Sequence, residues 1–325
     1  MIAPADVTLL EFLDRVYMNK PKMAAGSANT HADYHTQVRH FTNYFHHHLR
    51  LCGQSVRDPR LSDLSEDLVE GAMAWQLSRG RVVATANKVG RVVYALWHHA
   101  WRKQWLDAQP RCEFFPEPER VPEAWWIDEF RQIVTAARQM PGWVGGVRAA
   151  LWWPALLLVV YNTGARISAM MSVRVEWVDF RRGYLSIYHN VQKDRADQVV
   201  VLMPETVAAL EEIKPQRLDR LFDDWPYDRT DVAWRSLTRH YRKILRRANL
   251  PDDRDDLFHK IRRTFATYIA AASGEVMAQQ MLGHSHISVT RKYIDPRKLN
   301  QPSAKDLLPR VLAGEARLFL PEAAS

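Results

Sequence analysis

Leu282-Gly283-His284-Ser285-His286-Ile287-Ser288-Val289-Thr290-Arg291-Lys292-Tyr293 lies near the end of this 325-residue chain. Glycine readily takes the left-handed conformation that closes a helix, so Gly283 is expected to stop a helix running from Glu275 to Leu282. His284 follows at once, and Tyr293 stands in the segment after it. A free tyrosine titrates near about pH 10 and is a poor nucleophile at neutral pH. Nearby arginines would stabilise the developing phenolate and lower that barrier. The plain alternative is a core aromatic in a C-terminal helix.

Working outward, His259-Lys260-Ile261-Arg262 places two donors three positions apart, on one face of a helix. Such a pair can grip adjacent oxygens of one phosphate; with Lys260 and Arg263 it would equally make a solvated basic face. Further upstream, Thr163-Gly164-Ala165-Arg166-Ile167-Ser168 puts an arginine just past a glycine. There the chain can turn into a new helix whose free amides favour an anion. A salt bridge between domains is the other use for Arg166. Arginines offer planar donors to phosphate oxygens. Histidines move protons near neutral pH, and a tyrosine can become a covalent nucleophile. In this order the residues suit attack on a phosphodiester without metal.

The hydrophobic fraction of 47% in 325 residues suffices for two domains with separate cores. The net charge of +8 favours a polyanionic partner without naming it. Cys52 and Cys112 form neither a metal-ligand spacing nor a disulfide framework, which fits a reducing cytosol. The opening residues Met1-Ile2-Ala3-Pro4-Ala5-Asp6 lack the blocks of a signal peptide. The most apolar run, Ala149 to Tyr161, is shorter than a membrane span and reads as a buried helix. The expectation is a cytoplasmic protein with no membrane partner.

Residues 1–106 read as helical, with helices from Val7 to before Pro21, from Asp33 to Leu51, after a capping Asp63, and from Ala84 to Trp105. Pro110, Pro116, Pro118 and Pro122 then mark an extended linker over 107–122. The second block opens with a helix from Glu123 to Met140, followed by the apolar helix to Gly164 and another from Arg166 to Val173. Two strands are expected at Tyr184–Tyr188 and Gln198–Leu202, with Lys193 and Arg195 in the polar turn between them. Pro204 suits the first position of the next helix.

Taken together, the three quoted segments resemble the tyrosine recombinases, the phage integrase family. The order is Arg, Lys, His-x-x-Arg, Leu-Gly-His, Tyr, and the resemblance covers residues from about 123 to 297. It implies a mainly α fold. A helical core-binding domain (1–106) and a linker (107–122) would precede a mostly helical catalytic domain with a small antiparallel β-sheet (123–300). A tail (301–325) would dock in cis or on a neighbouring protomer. It implies a site-specific recombinase that breaks and rejoins double-stranded DNA through a 3′-phosphotyrosyl link, as a homotetramer on two sites. Tyr293 would attack, Arg166 and Arg262 would brace the phosphate, and His259 would act as general base or proton relay. His284 would bond a phosphate oxygen, and Lys193 would protonate the leaving 5′ oxygen. No cofactor, metal or ATP is called for. The family often carries an acidic residue three positions after the first arginine; here it is Ala169, for which Glu176 or Asp179 would have to substitute.

Other functions use the same residues differently. A type IB topoisomerase would relax one duplex, and an inactive DNA-binding regulator would keep only the affinity. A metal nuclease would need the histidines of His31, His35, His40 and His46-His47-His48, which lack a zinc-ligand spacing. Trp75, Trp97, Trp101 and Trp105 are spaced for a core rather than for stacking on bases.

Overall fold

The computed structural model describes residues 6–192, 196–214, 219–222, 231–253 and 257–299, with only the backbone of 231–233. The chain divides into two compact units at Glu119/Arg120.

Among the described residues of the first unit every regular element is helical. Helix α1 (Leu9–Phe12) starts in a reciprocal cap, in which Thr8 Oγ1 accepts the Glu11 N–H and Glu11 Oε2 accepts the Thr8 N–H. It runs on as a wider turn to Tyr17. After α2 (Pro21–Ala24), Ser27 caps α3 (Ala28–Leu51), which buries Val38, Phe41, Phe45 and Leu49 at helical spacing. Helix α4 (Glu66–Ser78) is capped by Ser65. The expected cap, Asp63, is used elsewhere: its carboxylate accepts the Arg60 N–H and both terminal nitrogens of Arg57. Helix α5 (Val83–Arg102) presents Val89, Val93, Leu96, Trp97 and Ala100 to the core.

The proline-rich stretch is no free linker over its first part. Asn87, fully buried on α5, donates to the Phe115 carbonyl (2.8 Å) and accepts the Phe115 N–H (3.1 Å). Arg91 pairs with Glu117 at 2.6 Å. Proline leaves few donors of its own, so side chains of the first unit strap this segment down.

The second unit begins with an extended run, where a helix from Glu123 had been expected. The N–H groups of Ala124, Trp125 and Ile127 are claimed by Asp295, Thr264 and Tyr268, so helix α6 (Ile127–Ala137) starts only afterwards. A hairpin unforeseen from sequence, β1 (Trp143–Val144) with β2 (Val147–Arg148), turns at Gly145-Gly146. Helix α7 (Ala149–Thr163) is apolar all round and forms the centre of the core, packing on α6. Gly164 ends it and α8 (Ile167–Met170) follows.

The sheet runs β3 (Val178–Asp179), β4 (Tyr184–Ile187), β5 (Gln198–Val201), all antiparallel. Leu185, Ile187 and Val200 face the core, while Tyr184, Val199 and Val201 face outward. Helix α9 (Pro204–Ile213) begins on its proline, as expected. Helix α10 (Asp231–Arg247) buries Leu237, Tyr241, Ile244 and Leu245. The helical run α11 (Leu257–Leu282) is broken at Gly274 (φ 85°), and α12 (Ile287–Arg291) is short. Among the described residues no helix is long and apolar enough to cross a membrane.

Candidate active site

Gly164 places the first piece of the site. Its φ of 61° lies in the left-handed region, and a Cβ there would meet the Phe265 ring at 2.2 Å. Both facts demand glycine. The carbonyl so presented accepts a hydrogen bond from the Arg262 guanidinium (2.5 Å). Two residues on, the half-buried Arg166 begins α8.

Arg262 is itself 3% exposed, and its other terminal nitrogen donates to the Leu282 carbonyl (3.2 Å) and to His284 Nε2 (2.9 Å). Gly283 (φ 68°) ends α11 and turns His284 back toward the guanidinium. A guanidinium only donates, so His284 Nε2 must carry the lone pair. The proton therefore sits on Nδ1, which donates to Thr290 Oγ1 at 3.0 Å. Gln279 fixes the His284 backbone from the preceding helix, its Nε2 donating to the His284 carbonyl (3.0 Å). Tyr293 closes the cluster. Its ring is 5.2 Å from the His284 ring and 5.3 Å from the Arg262 guanidinium carbon.

Arg262, His284 and Tyr293 are thus brought together in one place. His259 is exposed, one turn before Arg262 on α11. Lys193 and the tail from residue 300 lie outside the described residues. Ala169 is buried; Asp179 accepts from Arg182, and the largely exposed Glu176 lies 3.8 Å from Arg174.

Sequence reasoning missed Lys260, whose ammonium sits 3.6 Å from the Trp125 ring centre with Glu123 at 3.8 Å. It also missed Thr267 and Asp295. The only available hint for Asp295 was its place before Pro296, which reads as a turn.

The histidines of α3 are dispersed. His31 bonds the Met23 carbonyl, His35 pairs with Asp14, His46 pairs with Asp58, and His47 stacks on Trp75. Among the described residues no three potential ligands converge on a metal. Trp75 is half-buried rather than core, in contact with His47 and with Arg79 at 4.6 Å.

The sequence from 127 to 299 matches the phage integrase family. That span is more than half of the chain, and the chain belongs to this family, the tyrosine-type site-specific DNA recombinases. The tyrosine recombinase XerD of Pseudomonas putida is 25% identical over 297 residues, covering 87% of this chain and 90% of that protein. XerC of Rhodospirillum centenum is 27% identical over 253 residues, covering 74% and 71%. Among solved structures, a lambda integrase dimer bound to a COC′ core site superimposes with a TM-score of 0.64 at 16% identity, covering 90% of this chain and 79% of that one. The Tn1549 transposon integrase in complex with transposon right end DNA gives 0.64 at 13% identity, covering 88% and 94%. These two establish a shared fold.

Proposed function

We propose that this recombinase cleaves DNA with Tyr293 and holds the broken strand as a 3′-phosphotyrosyl ester. The convergence of Arg262, His284 and Tyr293 within one matched segment carries the reading. The phenol oxygen attacks phosphorus, and the 5′ oxygen leaves. The phenol proton passes to His259, and Lys193 supplies a proton to the leaving oxygen. Arg166 and Arg262 face the charge that grows on the non-bridging oxygens. Because one ester replaces another, the strand can be rejoined to a new 5′-hydroxyl without ATP.

In the arrangement described, His284 serves Arg262 rather than a ligand. A phosphate competing for the same guanidinium would free Nε2, and a second proton would let it donate to an oxygen.

DNA is the macromolecular partner, and the first unit contributes a basic face to hold it. Arg39, Arg79 and Arg81 are exposed, and after burial their charges are what hold His40 below its ordinary proton affinity. A lambda integrase tetramer bound to a Holliday junction has the same fold, with a TM-score of 0.62 at 17% identity, covering 92% of this chain and 80% of that one. It supports four protomers acting on two duplexes, and the tail after residue 300 is a candidate to join them.

The test uses a duplex selected by the wild-type protein from a random-sequence pool and nicked so that the released 5′ fragment diffuses away. The expected result is a covalent complex that survives denaturant and maps to Tyr293 by mass spectrometry. A complex mapped to another residue, or none at all, would overturn the assignment. Strand exchange between two such duplexes, rather than relaxation of one circle, is the expected outcome of the full reaction.

A further inference from the structure

Asp295 stands two residues past Tyr293 and is fully buried. A lone carboxylate in such a place is costly, yet this one is surrounded by donors. Oδ2 accepts from the Ala124 N–H (3.1 Å), the Arg297 guanidinium (2.9 Å) and the Lys298 ammonium (3.0 Å). Oδ1 accepts from Arg297 Nε (2.8 Å) and the Arg297 N–H (3.1 Å). Burial opposes ionisation, but hydrogen bonds from Arg297, Ala124 and Lys298 outweigh it and hold the carboxyl well below the usual range.

The main chain of Asp295 is used as well. Its N–H donates to Thr267 Oγ1 (2.9 Å), and that hydroxyl donates to the Tyr293 carbonyl (3.4 Å). Thr267 lies on α11, between Arg262 and the break at Gly274. The Tyr293 backbone is therefore tied on one side to the helix that carries Arg262. On the other it is tied, through the Asp295 carboxylate, to the extended run that opens the second unit. That run is itself anchored to α11, because the Trp125 N–H donates to Thr264 Oγ1 (2.8 Å). The three pieces form a closed triangle around the nucleophile's backbone.

We propose that Asp295 and Thr267 are positioning residues for Tyr293: they fix where its backbone leaves α12 relative to Arg262, and so the reach of the phenol toward a bound phosphate. The proposal rests on Tyr293 being the nucleophile. Neither residue need touch DNA; they act on the geometry of attack, where small displacements are expensive.

The experiment measures single-turnover formation of the covalent complex at saturating protein, on the nicked selected duplex, alongside DNA affinity and melting temperature. Thr267→Val keeps the shape and removes the hydroxyl; its rate is expected to fall about tenfold or more with DNA affinity unchanged. Thr267→Ser restores the hydroxyl and is expected within about twofold of wild type. Asp295→Asn keeps the size and removes the charge, with an equal or larger fall expected. Should it fail to fold, the Thr267 pair decides alone. The proposal is overturned if Thr267→Val cleaves at the wild-type rate, if Thr267→Ser is no better than Thr267→Val, or if the loss follows DNA affinity. A wild-type protein that forms no covalent complex would instead sink the nucleophile assignment itself.

Discussion

One cluster of arginines in the first unit and one arginine in the second hold positive charge in opposite ways. In the first, Arg39, Arg79 and Arg81 stand in solvent around a half-buried His40, and the Arg79 guanidinium carbon lies 4.6 Å from the Trp75 ring centre. In the second, Arg262 is buried, with two carbonyls and an imidazole holding its guanidinium. Exposed charges act through a screened field, so each contributes a little and any one can be lost. A buried guanidinium acts through geometry, and its neighbours have been built around its planar fork. The first arrangement suits affinity for a long polyanion; the second suits one phosphate at one angle.

The sharpest way to break the comparison is at the proposed nucleophile. Tyr293→Phe is expected to abolish covalent complex formation while DNA binding by gel shift stays at the wild-type level. Arg262→Lys comes next. A single ammonium cannot span Gly164, Leu282 and His284 at once, so cleavage should fall by about 10²- to 10³-fold, in line with the loss of one oriented donor at an anion site. A lysine variant that cleaves normally would mean that charge alone matters here, and the contrast between the units would disappear. Gly164→Ala attacks the same geometry from the backbone. The left-handed φ and the contact with Phe265 together should cost about 1–3 kcal/mol of stability, read from urea unfolding.

Those residues differ in how visible they were beforehand. The stop at Gly283, the Pro204 start and the strands around β4 and β5 all announce themselves locally, because a cap or an alternation is a short-range signal. Lys260 and Asp295 do not. A charged residue reads as exposed until its partners are known, and Asp295 meets Ala124 across 171 positions of chain. The same long reach misled the placement of α6, since a donor claimed by Thr264 across 139 positions leaves no trace in the local pattern. The strap over residues 107–119 escaped notice for the same reason: Asn87 reads as an ordinary polar helix residue until Phe115 is laid against it.

Proton linkage at His99 gives a smaller effect, in the first unit. His99 packs against Phe12 and Tyr17, and burial, aided by Lys20, Lys103 and Arg102, pushes its pKa down from 6.5 to about 4. The unfolded chain takes up a proton near 6.5 that the folded unit refuses until about 4. Stability is therefore at its full value above that window and falls as pH drops through it. His99→Leu should flatten the fall in melting temperature between those two pH values. An unchanged slope would place the acid sensitivity elsewhere.

The mildest test returns to the exposed arginines. If Arg79 meets a phosphate as one of several screened charges, Arg79→Ala should weaken DNA binding by a modest factor and leave cleavage at saturating DNA untouched. The slope of log affinity against log salt should shrink by about 1, the amount expected when one phosphate contact is lost. Trp75 sharpens the point, because the Arg79 guanidinium is held over its ring rather than swinging freely. Trp75→Ala would leave the charge in place but release it, so the salt slope should hold while affinity drops. If both variants instead slowed cleavage at saturating DNA, the first unit would be shaping the reacting phosphate, and the division between a screened field and a built pocket would have to be redrawn.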